Sequence, residues 1–264
     1  MDAEPLAGGL ANAGAVWRRG AAVERPAPAH AQALHGFLTA LRAGGFAGAP
    51  VPVGPVADGR ERLEFLPGEV ALLPYPAWAL TTDALVSVAR LLRSWHDASA
   101  RTPFDPAADW PQDFADPEGG ELLCHNDACA ENVVFRAGAA AALIDFDYAA
   151  PGRPVWDVAM TLRYWAPMLD PATAAQTARD HLPALPRLSL FADAYGLSPA
   201  DRTALPTALE QTTAACRAFV ARRVESGDPG FLRVFASYGG WPRWDRIQTW
   251  LSEQRPHLER ALRT

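Results

Sequence analysis

The chain has 264 residues, 20% of them charged and 49% hydrophobic, with a formal net charge of −6. This is the balance of an ordinary globular protein, and its acidity argues against nucleic acid as a partner. No apolar run approaches the roughly 20 residues of a membrane span, and the opening MDAEPLAGGL has acids where a secretory leader has bases.

The three cysteines, Cys124, Cys129 and Cys216, form no metal-like cluster, so reduced thiols in a cytoplasmic protein are expected. All 24 basic residues are arginine and none is lysine. Any phosphate contact must therefore come from arginine or from backbone N–H groups.

In chain order, residues 5–26 read as turn, strand, tight turn, strand. Gly8, Gly9, Asn12 and Gly14 lie in a loop of the kind that lays backbone N–H groups over phosphates. Residues 29–43 have helical periodicity, closed by Gly44 and Gly45, and contain no carboxylate; Gln32 and His35 are the polar candidates in its place. Pro50, Pro52 and Pro55 break a loop, and residues 62–66 alternate as a strand ended by Pro67 and Gly68. Residues 81–99 form an amphipathic helix with Leu85, Val88, Leu91, Leu92 and Trp95 on one face. Residues 101–120 read as a surface connection whose acids, Asp105, Asp109, Asp113, Asp116 and Glu118, suit a solvated loop or attraction of a cationic substrate.

Residues 122–157 organise the chain. Asp127 and Asp145 end short apolar runs, and Asn132 follows Asp127 by five positions. A hairpin pairing 132–136 with 141–144 sets Asn132 and Asp145 side by side, with Asp127 on the preceding loop. An amide and a carboxylate oxygen suit a hard dication such as Mg²⁺, and a separate carboxylate orients a hydroxyl and accepts its proton. Together they form the working set of a phosphoryl transferase. Beyond it the chain reads as helix over about 155–166, 187–195, 199–225, 230–238 and 243–262. Pro206 is expected to kink or split the longest of these. Trp156, Trp165, Trp241, Trp244 and Trp250 are mostly core, with the capacity to wall a pocket for a cation.

CHNDACAENVVF and LIDFDYAAPGRPVWDVA resemble the catalytic and metal loops of the aminoglycoside phosphotransferase and choline kinase-like family, which has a protein-kinase-like fold. The resemblance implies an α+β, two-lobed protein, with a small α/β N-lobe over 1–66 and a mainly helical C-lobe over 67–264. It implies transfer of the γ-phosphate of ATP or GTP, with Mg²⁺, to a hydroxyl of a small molecule such as an aminoglycoside, amino alcohol or sugar.

Asp127 would be the catalytic base, and Asn132 and Asp145 the metal ligands. Asp147 would reach a second metal or brace its loop. Gly8, Gly9, Asn12 and Gly14 would cover the phosphates, Arg25 would stand where the family has its strand lysine, and Glu64 and Leu66 would belong to the base-binding hinge. Asp157 would brace the catalytic loop. The helix that usually supplies a carboxylate to the strand lysine has none here, which leaves a second expectation: a degenerate nucleotide-binding pseudoenzyme acting as sensor or partner protein.

Overall fold

The computed structural model describes residues 3–6 and 14–263. The loop positions Gly8, Gly9 and Asn12 lie outside the described residues. Four antiparallel strands follow one another in space as in sequence: β1 (Glu4–Pro5), β2 (Trp17–Arg19), β3 (Ala22–Pro26) and β4 (Arg60–Glu64). The β2–β3 turn passes through Gly20 at φ 63°, a conformation that glycine adopts without strain. Between β3 and β4 runs α1 (Ala31–Ala43), whose Leu34, Phe37, Leu38 and Leu41 are buried. These side chains join the same apolar core as the long helix α2 (Thr82–Ser99), and the Phe37 ring meets Trp95 edge-on at 5.8 Å.

Helix α2 begins where Thr81 Oγ1 accepts from the Ala84 N–H. After a connection without regular structure come β5 (Leu122–Cys124), β6 (Val133–Arg136), β7 (Ala139–Leu143) and β8 (Ala150–Gly152). β6 and β7 form a hairpin, and β5 pairs with β8. The β6–β7 turn is tighter than the sequence suggests: Ala137 and Gly138, both at positive φ, carry it alone, and a register shift at Val134/Phe135 absorbs the difference. Gly120, next to β5, leaves room for close backbone approach, because a Cβ there would lie 2.0 Å from Gly152 O.

The remainder is helical: α3 (Pro154–Trp165), α4 (Pro171–Ala175), α5 (Ala184–Tyr195), α6 (Pro199–Glu225), α7 (Pro229–Ser237) and α8 (Gly240–Ala261). Pro206 lies within α6 without dividing it. The short α4, too brief for periodicity to mark, is capped by Asp170 and has Pro171 in its first turn. Among the described residues no helix is long and apolar enough to cross a membrane. The small sheet with α1, set against the larger helical part, gives the α+β two-lobed architecture of a kinase-like fold.

Candidate active site

Strand β5 is wholly buried and delivers the chain into the loop that begins at His125. One carboxylate holds the start of that loop. Asp157, in the first turn of α3, accepts the His125 N–H at 2.7 Å and the Asn126 N–H at 2.8 Å. His96 Nε2 of α2 donates to the same carboxylate at 2.9 Å, and His96 Nδ1 lies 2.6 Å from the Tyr195 hydroxyl of α5. Burial by itself would raise the Asp157 pKa, but the hydrogen bond and charge of His96 and the His125 contacts outweigh it and hold the carboxyl below its ordinary value. His96, Cys124 and Asp157 lie close enough to share a metal ion, but their hydrogen bonds account for Asp157 as a brace.

His125 links the loop to the second half of the site. Its Nδ1 accepts the Asp127 N–H at 3.2 Å and its Nε2 donates to Ile144 O at 3.0 Å. Burial pushes its pKa down, consistent with a neutral ring whose tautomer these two bonds fix. Asn126, at φ 64°, donates from Nδ2 to Tyr148 O at 3.0 Å. The residues ahead of the catalytic position are therefore structural.

Asp127 and Asn132 come together as the spacing implies. Asn132 Nδ2 donates to Asp127 O at 2.9 Å and to Asp127 Oδ2 at 3.0 Å. With both amide hydrogens on Asp127, the Asn132 side-chain oxygen is directed away from it. The Ile144 N–H donates to Asn132 O at 2.9 Å, which carries the hairpin one pair beyond the ladder and places Asp145 beside Asn132. The second oxygen of Asp127 accepts from the Tyr164 hydroxyl at 3.2 Å. Burial, then the charge of Asp145, push the Asp127 pKa well above the usual carboxylate value, against the pull of the Tyr164 bond.

Arg25 unites the sheet with the loop after β7. Its Nε donates to Glu61 Oε1 at 2.7 Å, its Nη1 to Asp145 Oδ1 at 2.6 Å, and its Nη2 lies 2.8 Å from Asp147 Oδ1. Burial opposes the charged form, but the charges of Asp147, Asp145 and Glu61 outweigh it and hold the guanidinium above its ordinary pKa. Glu61 also accepts from His35 Nε2 of α1 at 2.7 Å. A carboxylate partner for the strand cation is thus present, but on β4 instead of the helix, and the helix reaches it through His35.

Of the remaining site positions, Glu64 faces elsewhere. Its N–H donates to Val51 O at 2.8 Å and its carboxylate accepts from Arg42 Nη2 at 2.7 Å. Leu66 packs with Val134 and Ala142, flanked by Val70 and Ile144, to make an apolar patch separate from the main core. Gly14 stands at φ 76° in the turn before β2.

The acids of the 101–120 connection are largely spoken for. Asp116 is buried and accepts from Arg153 Nε at 2.7 Å and Nη2 at 2.9 Å, while Glu118 and Asp113 pair with Arg153 and Arg222. Trp156 and Trp165 are core, with indole N–H groups donating to Phe114 O and Ala128 O.

Sequence reasoning missed Glu61 and Tyr164. Glu61 shares a strand face with the buried Leu63, so it is an acid in an inward phase. Tyr164 follows Asp157 by seven residues, two helical turns along the same face of α3.

A hard cation fits this donor set. Asp145, Asp147 and the Asn132 amide are all oxygen donors, and the Asp145 side chain is 33% exposed.

Comparisons with known proteins agree with the architecture. Residues 104–191 match the model described as the phosphotransferase enzyme family. The chain is 31% identical over 266 residues to the trifolitoxin immunity protein of Rhizobium leguminosarum bv. trifolii, covering 94% of each. A choline/ethanolamine kinase family protein from Mesorhizobium loti superposes with a TM-score of 0.67 at 17% identity, over 100% of this chain and 92% of that one. The amicoumacin kinase hAmiN, in complex with AMP-PNP, Ca²⁺ and Ami, gives 0.62 at 12% identity, over 94% and 88%. The aminoglycoside phosphotransferase APH(3'')-Id of Streptomyces rimosus gives 0.52 at 17% identity, over 78% and 90%. With a protein-kinase-like fold and a relative matched along nearly its whole length, the chain belongs to the aminoglycoside phosphotransferase and choline kinase-like family of phosphotransferases.

Proposed function

We infer that the protein moves the γ-phosphate of ATP or GTP to a hydroxyl of a small molecule, with Asp127 as the base. The observation that carries this reading is the convergence of Asp127, Asn132, Asp145 and Arg25 on one place. Asn132 and Asp145, with Asp147 beside them, would hold Mg²⁺, which supplies positive charge to the β- and γ-phosphate oxygens. In the reaction the acceptor oxygen bonds to the γ-phosphorus as the bond to the β-bridging oxygen breaks, and the hydroxyl proton passes to Asp127. Asn132 and Tyr164 hold the two oxygens of Asp127, so the base is oriented before the acceptor arrives.

Arg25, with Glu61 behind it, would contact the α- or β-phosphate in place of a lysine. Backbone N–H groups around Gly8, Gly9, Asn12 and Gly14 would assist, and the base would lie on the patch of Leu66, Val134 and Ala142. Glu64 is left out of this set, because its N–H and its carboxylate already have partners. A nucleoside triphosphate donor supports a cytoplasmic site of action. The lobes would divide near residue 66, where β4 has ended.

The Arg25–Glu61–His35 chain favours the enzyme over a degenerate binder, since the buried ion pair that the helix lacks is supplied from β4. The name of the trifolitoxin immunity protein supports a natural toxin or antibiotic as one acceptor class to include. The test is a screen of hydroxyl compounds with Mg²⁺ and ATP or GTP, read by phosphate transfer and compared with Asp127→Asn. No transfer to any acceptor, with tight nucleotide binding in both proteins, would move the reading to the pseudoenzyme.

A further inference from the structure

On the side of Asp127 away from Asn132, the molecule presents guanidinium groups. Arg163 directly precedes Tyr164, whose hydroxyl touches Asp127, and it donates from Nη1 to Cys216 Sγ of α6. Its guanidinium carbon lies 5.9 Å from the Tyr164 ring centre and 6.0 Å from that of Trp244. Arg243, in the first turn of α8, lies 5.4 Å from the same Trp244 ring and 5.4 Å from Tyr238. Arg179 donates from Nη1 to Tyr164 O at 2.7 Å. Arg163 thus lies against the aromatic side chain that orients the base, Arg179 holds the backbone of the same residue, and Arg243 shares the Trp244 ring with Arg163.

These three guanidinium groups make no close ion pair among the described residues. Neighbouring Arg217 and Arg246 pair with Asp245 at 2.7 Å and Asp170 at 3.4 Å. Asp127, Glu131 and Asp170 act on Arg163, Arg179 and Arg243 respectively from beyond ion-pair distance. The Nε atoms of Arg163 and Arg243 are buried and have no hydrogen-bond partner. Burial pushes the Arg179 and Arg243 guanidinium groups below their ordinary pKa, and the charge of Arg163 adds to this. Packing like charges with unmet donors is costly, and an oxyanion that accepts from them removes both penalties.

Resting on the phosphotransferase reading, we propose that the acceptor carries an oxyanion, a carboxylate or a phosphate or sulfate ester, which docks on Arg163 and Arg243 while its hydroxyl lies at Asp127. The arginine fork suits such a group, and the same field repels an amine. This reverses the cationic acceptor that the acids of residues 101–120 suggest from the sequence.

The test uses three sugars that differ in one substituent: glucuronate, glucose and glucosamine. Each is titrated calorimetrically into the protein, with and without saturating Mg²⁺–AMP-PNP. Glucuronate is expected to bind and the other two to bind at least tenfold more weakly. Arg243→Gln and Arg163→Gln should each weaken glucuronate about tenfold, the loss of one charge-assisted bond, whereas Arg243→Lys should restore part of it. The Arg243 side chain makes no hydrogen bond among the described residues, so its variants should fold, and melting curves check this. Preference for glucosamine, no binding by any sugar, or glucuronate affinity unchanged in both glutamine variants overturns the proposal. Arginine-dependent glucuronate binding without nucleotide binding would sink the phosphotransferase reading and leave the anion site standing. Nucleotide binding with glucosamine preferred would do the reverse.

Discussion

Arg25 and Glu61 stand directly opposite each other on β3 and β4, and the guanidinium donates to the carboxylate at 2.7 Å with both side chains buried. The pair fixes Arg25 from behind, so its other two nitrogens point at Asp145 and Asp147. Charge-assisted bonds to phosphate contribute about 1.5–3 kcal/mol each. Arg25→Ala should therefore weaken Mg²⁺–nucleotide binding by roughly ten- to a hundredfold. Glu61→Gln should weaken it less, because the cation stays and only its hold is loosened. Titration calorimetry measures both, and affinity within twofold of wild type in Arg25→Ala would move the phosphate anchor elsewhere.

Asp127→Asn keeps the shape of the side chain but cannot take up a proton. Turnover of the true acceptor should fall by about 10²–10⁴-fold, toward the lower end if the proton leaves late. Nucleotide affinity should hold, because Asn132 and Asp145 are untouched. Single-turnover transfer and nucleotide titration on the same samples check the two halves, and wild-type transfer by the variant would remove Asp127 from the role of base.

Asp145→Ala removes a carboxylate that lies beside Asn132 and bonds Arg25. Its melting temperature should no longer rise when Mg²⁺ is added to nucleotide, whereas the wild type's should. An unchanged Mg²⁺-dependent shift would exclude Asp145 as a metal ligand.

Asp157→Ala would leave two buried backbone N–H groups and His96 without their acceptor. At about 1–3 kcal/mol for each of the three unmet groups, the loss should be roughly 3–9 kcal/mol, measured by denaturant unfolding at neutral pH. The folded-state pKa of Asp157 lies below its unfolded value. Its contribution is therefore complete above the unfolded pKa, about 4, and is lost as pH falls through the folded one. The difference between wild type and variant should shrink on acidification below about pH 4. A constant difference down to acid unfolding would argue against an ionised brace.

The parts of the site that could be read from sequence are those whose chemistry is set by local spacing. Asp127, Asn132 and Asp145 lie on one loop and one hairpin, so short-range pattern sufficed to bring them together. Glu61 is 36 residues from Arg25, and only the β3–β4 register makes them partners. Periodicity shows that Glu61 faces inward but not what it faces. Nothing in α3 alone says that its last turn, with Arg163 and Tyr164, lies over the catalytic loop. Asp116 was grouped with solvated acids for a similar reason: its partner Arg153 lies across the β5–β8 pair.

Helix α3 also acts as a ruler. Asp157 near its start and Tyr164 near its end reach two points of the same loop, seven residues or about 10.5 Å apart along the axis. One residue inserted between them would rotate the second contact by about 100°, so the loop could keep its brace or its oriented base but not both. The six positions between Asp157 and Tyr164 are therefore fixed in number whatever side chains they carry.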